Sequence, residues 1–228
     1  MVNWDELKEG EVGTSMTIGP LERSEFKVYA DTGGDSNPIH QDEFAGLVNK
    51  GIIAHGLYSH AWLGTMLTNW VGVGNVRGYN GRMLGMTRPG DAVILKAIVK
   101  KKYEEGGEKL VDCDITATTK TTYFMGKATS SLPDDEILKN LAAAKVSINI
   151  EFTANGEKKF DVKFEPKGIE VRVPKDTMAN EPLVRDWIRA DKDVITAEFI
   201  GKKKGDKFKF GLVRNRDSIV GTATVAIK

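Results

Sequence analysis

One segment constrains the fold of this chain more than any other: residues 57–71 are apolar on nearly every side of a helix. A helix of this kind has no polar face to turn toward solvent, so it must lie inside a domain. The wider apolar stretch around it is interrupted by glycines, His60 and Asn69, a pattern typical of a buried helix and not of a membrane span. The rest of the fold must therefore supply a cover for this helix.

The segments downstream of the helix can form that cover. Three runs rich in β-branched residues follow at 92–99, 109–118 and 121–129, with turns predicted at 104–107 and at Lys120. Short connections between such runs imply an antiparallel meander. A sheet with one apolar face must bury it, and the apolar helix is the available partner. We therefore predict an α+β fold with an antiparallel sheet wrapped around a long central helix.

The segments upstream of the helix are shorter. Residues 11–18 resemble a strand, and a helix is predicted to begin near Glu22, with Ser24 as its N-cap and the helical residues running from 25 to about 30. Residues 31–38 are dense in Gly, Asp, Ser, Asn and Pro and are predicted to form a loop.

Charge divides the chain unevenly. Residues 1–136 carry 14 Lys+Arg against 19 Asp+Glu, whereas residues 137–228 carry 19 against 13. The break coincides with a candidate linker at Pro133-Asp-Asp-Glu. We therefore predict two domains, 1–136 and 137–228, the second being basic, α+β and rich in strands.

The second predicted domain has its own series of elements. A short helix is expected at 181–190, with Asn180 as its cap, among six strands. These strands are predicted at 145–152, 158–164, 169–173, 194–200, 207–213 and 219–227. The last three repeat some of the residue pattern of the first meander, which either reflects shared β-sheet composition or an internal repeat.

Asp35 and His40 are the first candidates for chemistry. They lie five residues apart on the predicted loop, and Asn37-Pro38 between them holds residue 37 away from helical conformation. A carboxylate and an imidazole that share one water molecule form a suitable pair for proton transfer at neutral pH. The alternative is a loop in which Asp and Asn cap backbone groups and His40 is a surface residue.

A second candidate segment is Ile53-Ala-His-Gly-Leu at the start of the apolar helix. The first backbone N–H groups of a helix have no partner inside it, and the helix dipole makes them good donors to a developing oxyanion. Gly56 is the candidate for this role. Alternatively, Gly56 only permits close packing and His55 is a core histidine, the interpretation that we also give to His60.

Several classes of protein are disfavoured. The single cysteine, Cys113, lies in an alternating run that predicts a strand, and it excludes a disulfide framework or a multi-cysteine metal site. No metal cluster or dinucleotide motif is visible, and the lysines at 202–207 are typical of a hairpin turn rather than of a nucleic-acid site. The polar start of the chain does not resemble a secretory signal, so a cytoplasmic location without a membrane span is expected.

Taken together, the two candidate segments resemble a known family. Tyr29-Ala-Asp-Thr-Gly-Gly-Asp-Ser-Asn-Pro-Ile-His-Gln-Asp and Gly51-Ile-Ile-Ala-His-Gly-Leu are similar to the hydratase motif of MaoC-like proteins, the R-specific enoyl-CoA hydratases. Arg88-Pro-Gly-Asp resembles the turn that leads into the sheet of that family. The resemblance covers about residues 8–132, and residues 77–91 depart from the family pattern in their extra glycines and arginines.

The resemblance implies a hotdog fold for residues 1–136, usually dimeric through its sheet; the second domain would then be a possible degenerate hotdog. It also implies that Asp35 and His40 activate one water molecule, that Gly56 N–H polarises a thioester carbonyl, and that Asn37 holds the loop. The acyl chain would lie beside the central helix, so the residues expected to line the substrate site are Asn37, Ala54, His55 and Leu57.

The function implied is a hydratase or dehydratase, a lyase of fatty-acid metabolism acting on a 2-enoyl or (R)-3-hydroxyacyl thioester. Water would be its cosubstrate, CoA or an acyl-carrier arm would belong to the substrate, and no cofactor or metal is expected. The alternative is a non-catalytic thioester-binding or assembly subunit. The basic second half favours that alternative mildly, because a positive module could dock an acidic acyl-carrier protein.

Overall fold

A computed structural model describes residues 2–42, 51–152, 158–173 and 194–227, which form three α-helices and nine strands. Contacts between these residues divide the chain into two compact units. Unit one comprises Met1–Lys120 together with Arg216–Lys228, and unit two comprises Thr121–Asn215.

Unit one is an antiparallel sheet wrapped around a helix. The helices of this unit are α1 (Arg23–Gly33) and α2 (Gly56–Val71). The strands are β1 (Val12–Ile18), β2 (Val76–Met83), β3 (Ala92–Glu105), the first part of β4 (Glu108–Thr129) and the last part of β9 (Lys207–Ile227). They lie in the order β1-β3-β4-β9-β2. The predicted α+β class and hotdog arrangement are confirmed.

Burial of α2 accounts for this arrangement. Leu63, Met66 and Leu67 on the helix are at most 1% exposed. They belong to one core cluster with the inward-facing residues of the sheet, which include Val93, Leu95, Val111, Cys113, Ile115, Ile219, Ala223 and Val225. Alternate residues of each strand face the helix, so the sheet supplies the cover that an all-apolar helix requires.

Helix α1 begins and ends differently from the prediction. Glu22, not Ser24, is the N-cap, and it forms a capping box with Glu25. The helix continues to Gly33 and ends at Gly34, whose φ of 71° is the left-handed conformation that closes helices. The predicted loop therefore begins three residues later than expected, because the first residues of a Gly/Asp-rich segment can extend a helix that is already formed.

One predicted turn is absent, and two strands that were predicted separately are continuous. Strand β4 passes through Lys120 without a break, and β9 joins the strands predicted at 207–213 and 219–227. The turn between β3 and β4 was predicted correctly, and there Gly106 and Gly107 adopt φ values of 62° and 81°. A lysine among threonines has no such conformational freedom, so the ladder continues.

The candidate linker at 133–136 is part of a helix, α3 (Asp134–Ala143). Three acidic residues occupy its first turn, where they complement the helix dipole, and its Ile137 and Leu141 are buried. The acidic residues that follow Pro133 therefore mark the start of a helix and not a linker.

The structure also divides the chain at positions other than the predicted boundary at 136. Unit one is discontinuous, because its sheet includes the C-terminal end of β9, which pairs with β2 from Val76↔Val225 to Met83↔Ile219. By this division unit two holds 18 Lys+Arg against 15 Asp+Glu and unit one 15 against 17. The charge difference between the two parts is thus smaller than the predicted boundary suggested.

Unit two has its own core. Its elements include α3, the paired strands β5 (Val146–Phe152) and β6 (Lys158–Phe164), and the short strand β7 (Glu170–Arg172), which pairs with β4. Strand β8 (Thr196–Lys204) pairs with the first part of β9. The core residues include Tyr123, Phe124, Ile137, Leu141, Phe160, Phe164, Phe208, Phe210 and Leu212. The helix predicted at 181–190 lies outside the described residues, and the degenerate hotdog stays a prediction.

No helix in the part of the chain that the structure describes combines the length and the apolar character needed to cross a lipid bilayer.

The contribution of β9 to unit one can be tested with two adjacent residues. Ile219 is 1% exposed in the unit-one core, whereas Val220 is only partly buried. We expect Ile219→Ala to lower the free energy of unfolding by about 2–5 kcal/mol and Val220→Ala to lower it by less than about 1 kcal/mol. Both free energies are measured by urea unfolding followed through tryptophan fluorescence. All the tryptophans except that at 187 lie in residues 4–70. Equal small effects would contradict the assignment of β9 to the core of unit one.

Candidate active site

The loop after α1 is held by its own side chains. Oδ1 of Asp35 accepts a hydrogen bond from the N–H of Asn37 at 3.2 Å. Oδ1 of Asn37 accepts one from the N–H of Ile39 at 3.3 Å and thereby caps the 3-10 turn Pro38–His40. The backbone-capping loop considered from the sequence is thus present, and it orders the segment that carries Asp35 and His40.

His40 is 8% exposed, and its contacts define its protonation pattern. Its Nδ1 lies 2.7 Å from the backbone carbonyl oxygen of Ile53. Because a carbonyl only accepts, Nδ1 must carry the proton of the neutral ring. Nε2 is then left with its lone pair and can accept a proton from water.

His55 contacts both predicted acid/base residues. It is 4% exposed, and its Nε2 lies 3.3 Å from the backbone oxygen and 3.4 Å from Oδ2 of Asp35. Its ring stacks on that of His40, with centroids 3.6 Å apart and planes 27° from parallel. Ligand atoms of Asp35, His40 and His55 all lie within 4.8 Å of one another. The structure therefore brings the predicted pair together and adds His55 to it.

An aromatic cluster supports the three residues. The ring of Tyr29 in α1 lies 5.2 Å from that of His55 and 5.5 Å from that of Tyr58 in α2. Tyr58 also packs edge-on against Phe26 and donates a hydrogen bond to Glu25 at 3.1 Å. Burial raises the pKa of Tyr58; the hydrogen bond with Trp62 lowers this pKa in part, and Glu25 raises it further. The hydroxyl therefore stays protonated and remains a donor. The supporting roles of Tyr29 and Tyr58 were not predicted, although Tyr29 opens the motif that we had singled out.

Gly56 is the first residue of α2, where backbone N–H groups have no intrahelical partner. The N-cap residue His55 makes no side-chain capping hydrogen bond to them. A Cβ built on Gly56 would overlap the sulfur of Met83, so this methionine lies directly over the helix start. Leu57 beside it is 63% exposed, and Met83 is 47% exposed. An adaptable apolar rim thus adjoins the candidate oxyanion donors, and Met83 is a member that the sequence did not indicate.

The other expected substrate-site residues hold backbone in place. Ala54 is buried, and its N–H donates to the carbonyl of Thr87 at 2.8 Å. Asn37 is exposed and caps the loop, as described above. His60 lies away from these residues on α2, where its Nε2 is 3.2 Å from the carbonyl of Gly81, which fits the core interpretation.

The arginines that depart from the family pattern have structural partners. Arg77 forms a bidentate ion pair with Glu108. The guanidinium of Arg88 donates to the carbonyl of Gly51 at 3.2 Å, and its backbone N–H donates to Asp91 at 2.8 Å. Arg88 therefore braces the segment that leads to His55.

Asp35, His40 and His55 are also the residues that could hold a metal ion. Their geometry does not suit one ion bound by both histidines, because a metal must lie in the plane of each imidazole that binds it and these two rings are stacked. At most one of the two rings could serve with Asp35. The arrangement fits proton transfer better than coordination.

Cys113 takes no part in this site. It is fully buried in β4, and burial, followed by the charges of Asp112 and Asp114, raises the pKa of its thiol to about 12. The thiolate needed for nucleophilic chemistry is therefore scarce at neutral pH.

Residues 8–121 match the family described as the MaoC like domain. The match covers half of the chain and ends where unit one gives way to unit two.

Solved structures with similarity to the chain include an (R)-hydratase from A. caviae involved in PHA biosynthesis, at 19% identity and a TM-score of 0.45, covering 50% of this chain and 86% of that one. A MaoC-like dehydratase from Rhodospirillum rubrum has 22% identity and a TM-score of 0.42, covering 50% and 82%. The R-hydratase PhaJ1 from Pseudomonas aeruginosa has 17% identity and a TM-score of 0.42, covering 80% and 94%. Comparison with curated proteins gives no significant match.

The two stacked histidines should carry their protons on opposite nitrogens. We expect neutral His40 to be protonated at Nδ1, facing Ile53, and His55 to be protonated at Nε2, facing Asp35. Nitrogen-15 NMR of histidine-labelled protein distinguishes the two tautomers, and His40→Gln and His55→Gln assign the signals. The same tautomer at both positions would contradict the geometry described above.

Proposed function

The chain belongs to the MaoC-like domain family, and from that premise we propose that it adds water to a 2-enoyl thioester, or removes water from an (R)-3-hydroxyacyl thioester. The observation that carries the proposal is the convergence of Asp35, His40 and the start of α2. A carboxylate oxygen of Asp35 and a ring nitrogen of His40 lie within 4.8 Å of each other, close enough to share one water molecule. Backbone donors for an oxyanion begin at the residue that follows His55.

In the hydration direction, a bound water would donate one hydrogen to His40 and the other to Asp35. Its oxygen lone pair then faces the substrate and forms the O–C bond at Cβ while His40 accepts the proton. The Cα–Cβ π electrons move into the thioester as an enolate. The N–H of Gly56 stabilises that oxygen, and the proton held by the acid/base pair passes to Cα. Dehydration is the same sequence reversed, and atoms balance without a cofactor.

The acyl group of the substrate would be carried as a thioester by CoA or an acyl-carrier arm. The acyl chain would contact the apolar rim of Leu57 and Met83 beside the helix start. A homodimer formed through the hotdog sheet is part of the proposal. The non-catalytic alternative loses its main support, because the charge asymmetry that favoured a docking module is small once residues 216–228 are counted with unit one.

The acid/base pair is tested by substitution. We expect purified protein to hydrate crotonyl-CoA or a longer enoyl-CoA, seen as loss of the conjugated-thioester absorbance. Asp35→Asn and His40→Gln should each lower kcat by about 10²–10⁴-fold, the usual contribution of general acid–base catalysis. His60→Gln is the matched control and should keep near-normal activity, because His60 contacts Gly81 and not the site.

Circular dichroism must show that all three variants are folded. The mechanism is wrong if Asp35→Asn and His40→Gln retain full activity, and the proposed reaction is wrong if the wild-type protein hydrates no enoyl thioester of any chain length.

The oxyanion role of Gly56 can be separated from its packing role. In a Met83→Ala background, which removes the overlapping sulfur, Gly56→Ala and Gly56→Pro both add a Cβ, but only proline removes the N–H. Proline suits the first position of a helix, and His55 already has ψ of 137°, the extended conformation required before proline. We expect the proline variant to have kcat about 10²–10³-fold below the alanine variant. Equal rates in the two variants would rule out this donor.

A further inference from the structure

We infer that His55 is the positioning residue of this acid/base pair, holding Asp35 through Nε2–H and the ring of His40 through stacking. The inference deepens the proposed function and rests on it for its catalytic consequence. The sequence suggested only a substrate-lining or a core residue at this position.

The protonation state of His55 follows from its surroundings. Nδ1 is buried and has no hydrogen-bond partner among the described residues. Placing a proton there would bury an N–H with no acceptor, which costs more than leaving a weak acceptor unused. The neutral ring of His55 therefore carries its proton on Nε2, and at that edge it can only donate.

Asp35 is the acceptor that uses this donor. Its side chain is 54% exposed, so burial alone does not hold it in place. Nε2–H of His55 donates to the backbone oxygen of Asp35 at 3.3 Å, and the carboxylate Oδ2 lies 3.4 Å from the same nitrogen. The other carboxylate oxygen, Oδ1, accepts from the N–H of Asn37. These contacts hold both the backbone and the carboxylate of Asp35 in one orientation.

Stacking restricts His40 in a complementary way. The carbonyl of Ile53 anchors one edge of the imidazole, and the stacked ring of His55, whose centroid lies 3.6 Å away, prevents the ring from turning about that anchor. When His40 accepts a proton, the resulting cation lies against a neutral ring rather than a second cation. The titratable groups packed around His55 are Asp35, His40 and Tyr29, with the hydrogen-bonded pair Glu25 and Tyr58 beyond Tyr29.

Two substitutions separate the two contacts. His55→Phe keeps a flat ring for stacking but loses the donor, whereas His55→Gln keeps an amide N–H but loses the ring. Neither should disturb the start of α2, since His55 makes no side-chain capping bond. We expect His55→Phe to lower kcat about 10–100-fold, the usual effect of losing a group that orients a site residue, with KM little changed.

Rescue by the conservative variant gives a readout that a merely structural residue would not move. Without the His55 donor, Asp35 should be held less firmly and kcat should fall at nearly unchanged KM. His55→Gln, which keeps an N–H, should recover part of the lost kcat. In an Asp35→Asn background, His55→Phe should cause little further loss, because the group that it positions is already changed.

The order of the Asp35 backbone is also measured directly by nitrogen-15 NMR relaxation without substrate, so the inference is tested even if no thioester is turned over. A lower order parameter at Asp35 in His55→Phe that is restored in His55→Gln supports it. The same order parameter at Asp35 in all three folded proteins, or an equal loss of activity from His55→Phe with and without Asp35→Asn, would overturn it. Failure of the wild-type protein to hydrate enoyl thioesters, with the NMR result intact, would instead reject the proposed function alone.

Discussion

Burial of α2 under an antiparallel sheet is the constraint on which the rest of unit one depends. The helix contributes Leu63, Met66 and Leu67 to the core, yet its first residue, Gly56, lies at the candidate active site. Packing of the helix therefore fixes the direction in which its unpaired N–H groups point. The same packing places His55, the N-cap residue, against the loop that carries Asp35 and His40. A core that is fixed by hydrophobic burial thus orients polar groups whose own interactions are individually weak.

The parts of this arrangement that local chemistry determines could be predicted. The apolar character of the 15 residues at 57–71 indicated α2. Gly106 and Gly107 indicated the β3–β4 turn, and the Asn-Pro step indicated the loop after α1. Errors arose where local signals were weak. Lys120 resembled a turn only because two strand-like runs met there, and the acidic residues after Pro133 suited a helix start as well as a linker. Whether a strand continues at Lys120, and whether a helix forms after Pro133, depends on packing partners that the local sequence does not reveal.

Non-local contacts could not be predicted for the same reason. The last strand of the unit-one sheet follows 95 residues of unit two, so no composition window around residue 136 could place the division. At the site, Asp35 and His40 were expected to converge because they share one loop. The role of His55 depends on its Nε2 reaching Asp35, which lies 20 positions earlier in the chain. The role of Met83 depends on the end of β2 lying over Gly56. Side-chain packing decides both.

The proposed site transfers one water molecule to or from a thioester under the control of Asp35. This transfer is detected by mass spectrometry of the product formed from an enoyl-CoA in oxygen-18 water. We expect one oxygen-18 atom at the C3 hydroxyl of an (R)-3-hydroxyacyl-CoA with the wild-type protein, and almost none in the same time with folded Asp35→Asn. A labelled product formed equally fast by Asp35→Asn, or a wild-type protein that leaves every enoyl-CoA unlabelled, would contradict it.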